Sequence, residues 1–296
     1  VKVRVGVPDY ARSAKTLGTE REGSGVVIDS RGHILTIGYL IVEAETLEVF
    51  GPEGKAVGAE AVAYDFRTGF GIVKTSQPIG VKPMELGRSS EVREGDPVLV
   101  AASGGEDSAM GVRVISRKEF AGYWEYLLED AIFTAPPHPH FGGAALIDRS
   151  GKLVGIGSLF TQISLAGLGV IPGNMFVPID YLKPILDDLL TKGKTDDPPR
   201  PWMGVNVEES HGRVFVTRVT GESPAEKAGL HIGDLILTVN RKEIAGLADF
   251  YRKVWSLGTA GVEIPLEVLR GTKIQEVRLK SEDRGQYYRL KPQKRI

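Results

Sequence analysis

The sequence predicts a mostly β chain of two domains, an all-β first domain and an α+β second one. Three observations carry this prediction. Short runs alternating apolar with polar residues, punctuated by turns, recur from residue 26 to residue 156. The run Lys192-Gly193-Lys194-Thr195-Asp196-Asp197-Pro198-Pro199-Arg200-Pro201 combines glycine, charge and proline, excludes helix and strand alike, and reads as a linker. Beyond it the pattern is mixed, with helix caps and stops set between strands. At 296 residues the chain is long enough to bury a core on each side of that linker.

Residues 1–20 are weakly patterned and read as an N-terminal arm. Strands are then expected at 26–28, 33–36, 46–50, 98–102, 112–116 and 153–156. Asp29-Ser30-Arg31-Gly32 and Asp148-Arg149-Ser150-Gly151 each lie between two apolar runs, and a polar tetrad ending in glycine there signals a hairpin. The two halves of the region thus repeat one local device. A helix is expected from about Asp180, its N-cap, with Leu182, Ile185, Leu186 and Leu189 at helical spacing and a stop before Gly193. It closes a first domain over 21–191, with 192–201 as linker.

In the second domain, Ser223-Pro224-Ala225-Glu226 is a capping box with proline at the first helical position, and Gly229 stops a very short helix over 224–228. Gly233-Asp234 turns the chain into a strand over 235–239, ended by Asn240. A longer helix over 247–256 places Leu247, Phe250, Tyr251 and Val254 on one face. Strands at 263–269 and 274–279, joined around Arg270-Gly271, form a closing hairpin. The domain spans 202–282, and 283–296 reads as a C-terminal tail.

Composition excludes several function classes. With 37 Lys and Arg against 38 Asp and Glu, the net charge of −1 provides no whole-chain field to gather nucleic acid or anionic lipid. The absence of cysteine rules out disulfides, thiol nucleophiles and cysteine-based zinc sites, and suits an exported protein. The longest apolar stretch, 165–179, is too short for a membrane span and is broken by Gly167, Gly169, Pro172 and Gly173. The chain begins at Val1 rather than Met, which reads as a processed or trimmed product with any signal peptide upstream. His138-Pro139-His140 lacks a visible third ligand for zinc, so neither metal nor cofactor is expected. His33, His211 and His231 stand in strand or turn contexts and read as structural.

Residues 223–240, Ser-Pro-Ala-Glu-Lys-Ala-Gly-Leu-His-Ile-Gly-Asp-Leu-Ile-Leu-Thr-Val-Asn, strongly resemble the signature of PDZ domains, and the resemblance runs from Trp202 to Lys280. Such domains add a peptide as an extra strand to a sheet edge and hold its terminal carboxylate on backbone amides. By resemblance, the amides of Met203, Gly204 and Val205 hold the carboxylate. Val205 to Val207 form the pairing strand, and Phe250, Tyr251 and Val254 help to line the side-chain pocket. Gly204 has a plain physical purpose there, since a bare Cα lets amides approach an anion closely. The competing reading makes Trp202, Phe250 and Val254 ordinary core residues.

Gly23-Ser24-Gly25-Val26-Val27-Ile28-Asp29-Ser30-Arg31-Gly32-His33-Ile34-Leu35-Thr36, Asp65-Phe66-Arg67-Thr68 before Ile72-Val73-Lys74, and Gly142 to Ile156 resemble the framework of the HtrA/Deg family. The resemblance implies a trypsin-like double β-barrel followed by the PDZ domain. The family's hydrolysis uses a Ser nucleophile, a His base and an orienting Asp. The positions matching them here hold Gly142, Tyr39 and Gly69. No slip of register restores the set: there is no Ser from 117 to 149, no His between His33 and His138, and no Asp between Asp65 and Asp96. A phenol with a pKa near ~10 is protonated at neutral pH and is no general base.

The expected function is therefore binding without hydrolysis. The chain reads as a pseudoprotease of the HtrA type, capturing peptide C-termini or non-native chains as chaperone, adaptor or regulator in protein quality control. Backbone amides at Gly142 and Gly143 suggest an oxyanion-hole-like nest, against the plainer reading of a tight turn. The alternative is an active serine endopeptidase with a displaced nucleophile, Ser24, Ser103, Ser108, Thr134 or Ser158 being the available hydroxyls. A third reading makes the barrel a stalk and leaves recruitment to the PDZ domain. The resemblance further implies a periplasmic or otherwise exported protein and a homotrimer; a catalytically active relative is left open as a partner, with no residue in the sequence that argues for it.

Overall fold

The computed structural model describes residues 1–165, 167 and 169–288. The chain forms two compact units. Among the described residues, the first comprises Val1–Lys118 with Asp130–Asp196, and the second combines Glu119–Glu129 with residues 197–288.

The first unit opens with a seven-stranded antiparallel sheet: β1 (Lys2–Gly6), β2 (Glu20–Ser24), β3 (Val26–Val27), β4 (His33–Ile37), β5 (Thr46–Phe50), β6 (Ala56–Tyr64) and β7 (Phe70–Thr75), in the order β2-β1-β5-β6-β7-β4-β3. Its two outermost strands, β2 and β3, are separated in the chain by Gly25 alone. Consecutive Cα atoms lie about 3.8 Å apart, so the sheet has to curl until its two ends meet. A Cβ on Gly25 would sit 2.5 Å from Ile34 Cγ2, which is why the junction is glycine. Residues 1–20 are not a free arm: β1 lies between β2 and β5, with Val3 and Val5 buried and Lys2 and Arg4 paired outward to Glu22 and Glu48. Its five residues alternate correctly, with Val3 and Val5 inward, but five residues are a short period-2 signal. The short helix α1 (Ala14–Leu17) connects β1 to β2.

A closed barrel follows, built from β8 (Pro97–Ala101), β9 (Ala109–Gly122), β10 (Tyr126–Ala135), β11 (Ala145–Ile147), β12 (Leu153–Leu165) and β13 (Gly169–Pro178), closing as β10-β13-β12-β11-β8-β9. Val100, Val114, Ile132, Leu146, Val154 and Phe176 form the centre of its core. The repeated hairpin device is present in both halves. Asp29 Oδ1 accepts from the amides of Arg31 (2.9 Å) and His33 (3.1 Å), and Asp148 Oδ1 accepts from those of Ser150 (2.8 Å) and Lys152 (3.0 Å).

The helix expected from Asp180 is shorter and starts later. A 3-10 turn at Ile179–Tyr181 precedes helix α2 (Leu186–Lys192), which ends at Gly193 with φ +72°. Pro184 is the reason, because it disfavours helical backbone at Lys183. Asp180 caps nothing in α2: its carboxylate accepts from the Ser90 amide (2.8 Å) and pairs with Lys183 (2.7 Å).

The second unit contains a sheet of β14 (Val205–Ser210), β15 (Arg213–Val219), β16 (Leu235–Val239), β18 (Glu263–Arg270) and β19 (Lys273–Lys280) in the order β14-β15-β16-β18-β19, with β17 (Lys242–Glu243) paired to β16. Strand β14 is its edge. Helix α3 (Pro224–Lys227) is capped by Ser223 Oγ, which accepts from the Glu226 amide at 3.3 Å. Helix α4 (Leu247–Trp255) buries Leu247, Phe250, Tyr251 and Val254 against Val207, Val214, Ile236 and Val268. The expected tail begins instead with helix α5 (Arg284–Tyr287), capped by Asp283, and Tyr287 packs on Trp202 at 4.4 Å between ring centroids. The part of that tail beyond Tyr288 lies outside the described residues.

Candidate functional site

Two sites were expected, one in each unit. In the first, a 3-10 turn at Gly38–Leu40 follows β4 and carries Tyr39. Its hydroxyl donates to the Ser158 carbonyl at 3.0 Å, and a Cβ on Gly142 would lie 3.0 Å from the Tyr39 hydroxyl oxygen. The Gly38 amide donates to the Gly69 carbonyl at 2.7 Å. The fold therefore gathers positions 39, 69 and 142 in one place. Burial raises the Tyr39 hydroxyl above its ordinary value, so it stays protonated at neutral pH. Gly69 has φ +86°, a conformation that a side chain strains to adopt.

The oxyanion-like nest fails at one of its two amides. Gly143 N–H donates to the Gly157 carbonyl at 2.9 Å, so it is committed within the barrel. Gly143 has φ +75°, and a Cβ on it would lie 2.0 Å from the Ser24 carbonyl oxygen. The tight-turn reading describes it. Gly142 contributes its carbonyl, which accepts from the Ser24 amide at 2.8 Å.

Among the described residues, none of the hydroxyls of Ser24, Ser103, Ser108, Thr134 and Ser158 is hydrogen-bonded to an imidazole. Ser24 Oγ accepts from the Ser103 amide at 2.9 Å. His138 reaches Ser108 through that residue's carbonyl, at 3.2 Å from Nε2, and Ser158 meets Tyr39 through its own carbonyl. Among the described residues, Thr134 Oγ1 is buried without a hydrogen-bond partner. His138 Nδ1 accepts from the His140 amide at 3.1 Å, which ties the His-Pro-His loop to itself, and the described residues contain no group of three or more metal-ligating side chains. His33 Nδ1 lies 2.7 Å from Asp29 Oδ2. Burial works against the Asp29 carboxylate, but hydrogen bonds from His33 and Arg31 outweigh it and hold the group at about 2.

In the second unit, the amides of Met203, Gly204 and Val205 do converge on a carboxylate. Met203 donates to Oε2 of Glu125 at 2.9 Å, while Gly204 and Val205 donate to Oε1 at 2.8 and 3.1 Å. Gly204 has φ +83°, and a Cβ there would lie 2.2 Å from Ser223 Cβ, so the loop requires glycine twice over. The Val207 amide, on edge strand β14, donates to the Tyr123 carbonyl at 2.9 Å. Tyr251 reaches the same segment: its hydroxyl donates to the Gly122 carbonyl at 2.7 Å and accepts from the Glu125 amide at 3.1 Å. Arg284 Nη1 donates to the Trp124 carbonyl at 3.1 Å. Burial pushes the Glu125 carboxyl up, against the opposing pull of the three amides and the Arg284 guanidinium.

Phe250 and Val254 do not line an open pocket. Both are fully buried in the core cluster of the second unit, which also takes in Leu127, because α4 has to cover the sheet with that face. Sequence reasoning missed Glu125 altogether. Its only signal was an acid at a hairpin turn, which is indistinguishable from an ordinary solvated turn residue.

Residues 23–156 match the family model of the trypsin-like peptidase domain, and residues 201–280 match that of the PDZ domain. A probable periplasmic serine endoprotease DegP-like of Pseudomonas putida is 28% identical over 286 residues, covering 91% of this chain and 56% of the relative. The serine protease Do-like HtrA of Bacillus subtilis is 26% identical, covering 87% and 63%, and protease Do-like 1, chloroplastic, of Arabidopsis thaliana is 29% identical, covering 86% and 62%. The chain thus spans 56% to 63% of the length of these relatives. Among solved structures, the HtrA-type protease AlgW with decapeptide aligns with a TM-score of 0.55 at 23% identity, covering 90% of this chain and 85% of that one. The serine endoprotease from Yersinia pestis aligns with a TM-score of 0.52 at 23% identity, covering 95% and 93%. The structural likeness at these identities speaks to the fold.

Proposed function

For a homologue of the HtrA/DegP proteins, a trypsin-like peptidase domain followed by a PDZ domain, we propose binding of peptide carboxylates at the PDZ groove without peptide hydrolysis in the barrel. The observation that carries this reading is the convergence of three consecutive amides, Met203 to Val205, on one carboxylate beside the edge strand β14. A terminal carboxylate needs such a nest, and an extended peptide needs such an edge. The chemistry of positions 39 and 142 supports the absence of hydrolysis. A protonated phenol at Tyr39 takes no proton from a nucleophile, and Gly142 offers no nucleophile to lose one. In a Ser-His-Asp enzyme these groups act as a unit, and their removal costs roughly 10⁶-fold in turnover.

On this reading the protein is a chaperone, adaptor or regulator for chains with exposed C-termini, working alone or beside a catalytically active relative. We place it outside the cytoplasm by analogy with relatives described as periplasmic. A homotrimer is part of the same proposal. The experiment is fluorogenic-casein turnover by the purified chain beside the variant carrying Tyr39→His, Gly69→Asp and Gly142→Ser. Silence of the parent is the expected result, and turnover above buffer that survives repurification overturns the reading. The φ of +86° at Gly69 makes the Asp the weakest member of the triple variant, so the double variant Tyr39→His with Gly142→Ser belongs in the same series.

A further inference from the structure

The second unit contains a segment already seated where a peptide would bind. We infer that residues 122–125, the tip of the β9–β10 hairpin, are a tethered ligand of the PDZ groove, so that an incoming peptide carboxylate has to displace Glu125. This deepens the binding reading above and rests on it.

Strand addition has two parts, main-chain pairing with a free sheet edge and capture of a carboxylate in a nest of amides. The hairpin tip supplies both. The Tyr123 carbonyl takes the Val207 amide of β14 at 2.9 Å, and two residues later Glu125 fills the nest with its side-chain carboxylate. The side chain stands in for a chain end, since a continuous hairpin has no terminal carboxylate to offer.

The residue type at position 125 is a second, independent observation. Glu125 has φ +58°, the left-handed region that glycine and asparagine occupy at least cost. The turn has no use for a glutamate there, yet its side chain is buried and both carboxylate oxygens accept hydrogen bonds. The nest accounts for the choice.

The remaining contacts grip the tip by its main chain. Tyr251 on α4 holds the Gly122 carbonyl and the Glu125 amide, and Arg284 holds the Trp124 carbonyl. Arg252, also on α4, pairs with Glu119 and Glu129 on either side of the tip. A ligand tethered this closely acts at an effective concentration on the order of millimolar. With an intrinsic dissociation constant of the tip on the order of ten micromolar, any free peptide is then weakened roughly hundredfold while the tip is seated. The ligand that competes is a chain end whose α-carboxylate enters the nest and whose main chain pairs with Val207.

The test compares the full chain with Glu125→Gln, which keeps the shape, removes the charge and turns an amide NH₂ against the donating nest. Hydrogen exchange followed by mass spectrometry reads residues 203–207, with strand β16 as an internal folding control. The expected result is exchange at 203–207 faster by roughly ten- to hundredfold in Glu125→Gln, the effect of losing one charge-assisted hydrogen bond, with β16 unchanged. Unchanged exchange at 203–207 overturns the inference. A fluorescein-labelled copy of residues 118–126, amidated at its C-terminus, should bind Glu125→Gln at least about tenfold more tightly than the parent, and equal affinity for both proteins overturns the inference as well. If the nest opens in the variant but peptides with free carboxylates then bind no better than their amidated forms, the tethered ligand stands and the binding reading of the previous subsection falls.

Discussion

Replacing Gly204 by alanine separates a conformational requirement from a merely convenient glycine. At φ +83° an alanine costs about 1 to 2 kcal/mol. Its Cβ also falls 2.2 Å from Ser223 Cβ, and neither atom is the far end of a flexible side chain. The loop has to move away from Ser223, whose hydroxyl caps α3, and a lost N-cap costs about 1 kcal/mol. The total is about 2 to 3 kcal/mol. Urea unfolding followed by tryptophan fluorescence measures it cleanly, because Trp124, Trp202 and Trp255 all belong to the second unit. With m of about 1 to 1.5 kcal/mol/M, the midpoint should fall by about 2 M. Gly221→Ala is the control: a Cβ there meets nothing within 4 Å, so its shift should stay within about 0.5 kcal/mol. If Gly204→Ala unfolds at the same midpoint as Gly221→Ala, the account of the amide loop is wrong.

Asp234 is nearly inaccessible and accepts from Nε and Nη2 of Arg270, both at 2.7 Å, as well as from the His231 amide at 2.9 Å. Asp234→Ala leaves part of this network unpaired and should cost about 3 kcal/mol in the same fluorescence assay; a loss below about 1 kcal/mol contradicts the network. In the first unit, the folded Asp29 carboxyl is held at about 2 against an ordinary value of 3.8. A depressed pKa contributes stability that is fully present above the unfolded value and is lost as the pH falls through the folded one. Stability of the first unit, read by circular dichroism in urea, should therefore decline between pH 4 and pH 2 partly through Asp29. Asp29→Asn should be weaker at neutral pH and decline less over that window, and a parallel decline in the two proteins removes Asp29 from the explanation.

Features carried by a few neighbouring residues were legible in the sequence. The turns at Asp29 and Asp148 follow from a carboxylate bonding amides two and four residues on, and Ser223, Pro224 and Gly229 bracket α3 by the same kind of local logic. The nest at Met203 to Val205 could be placed because a resemblance located the loop and a glycine marked the close approach. Local signals failed where a neighbour intervened or a partner was distant. Pro184 cut short a helix whose apolar spacing was otherwise sound. Strand β1 is identified by pairing with strands beginning at residues 20 and 46, which no window around residues 2–6 contains. Glu125 meets its amides across 78 to 80 positions of chain, and nothing in Tyr123-Trp124-Glu125 announces that distance.

Strand β14 brings a further consequence, for self-association. An open sheet edge is a template on which another copy of the same chain can pair, and proteins suppress that route with charge or with cover. Here the two devices divide the strand. Glu208 and Glu209 carry charge along its second half, while the apolar half, Val205 and Val207, has its amides taken by Glu125 and Tyr123. The hairpin tip is thus also a guard against polymerisation. Whatever lifts it must occupy the edge as it leaves, or copies of the chain will compete for the vacancy in proportion to their concentration.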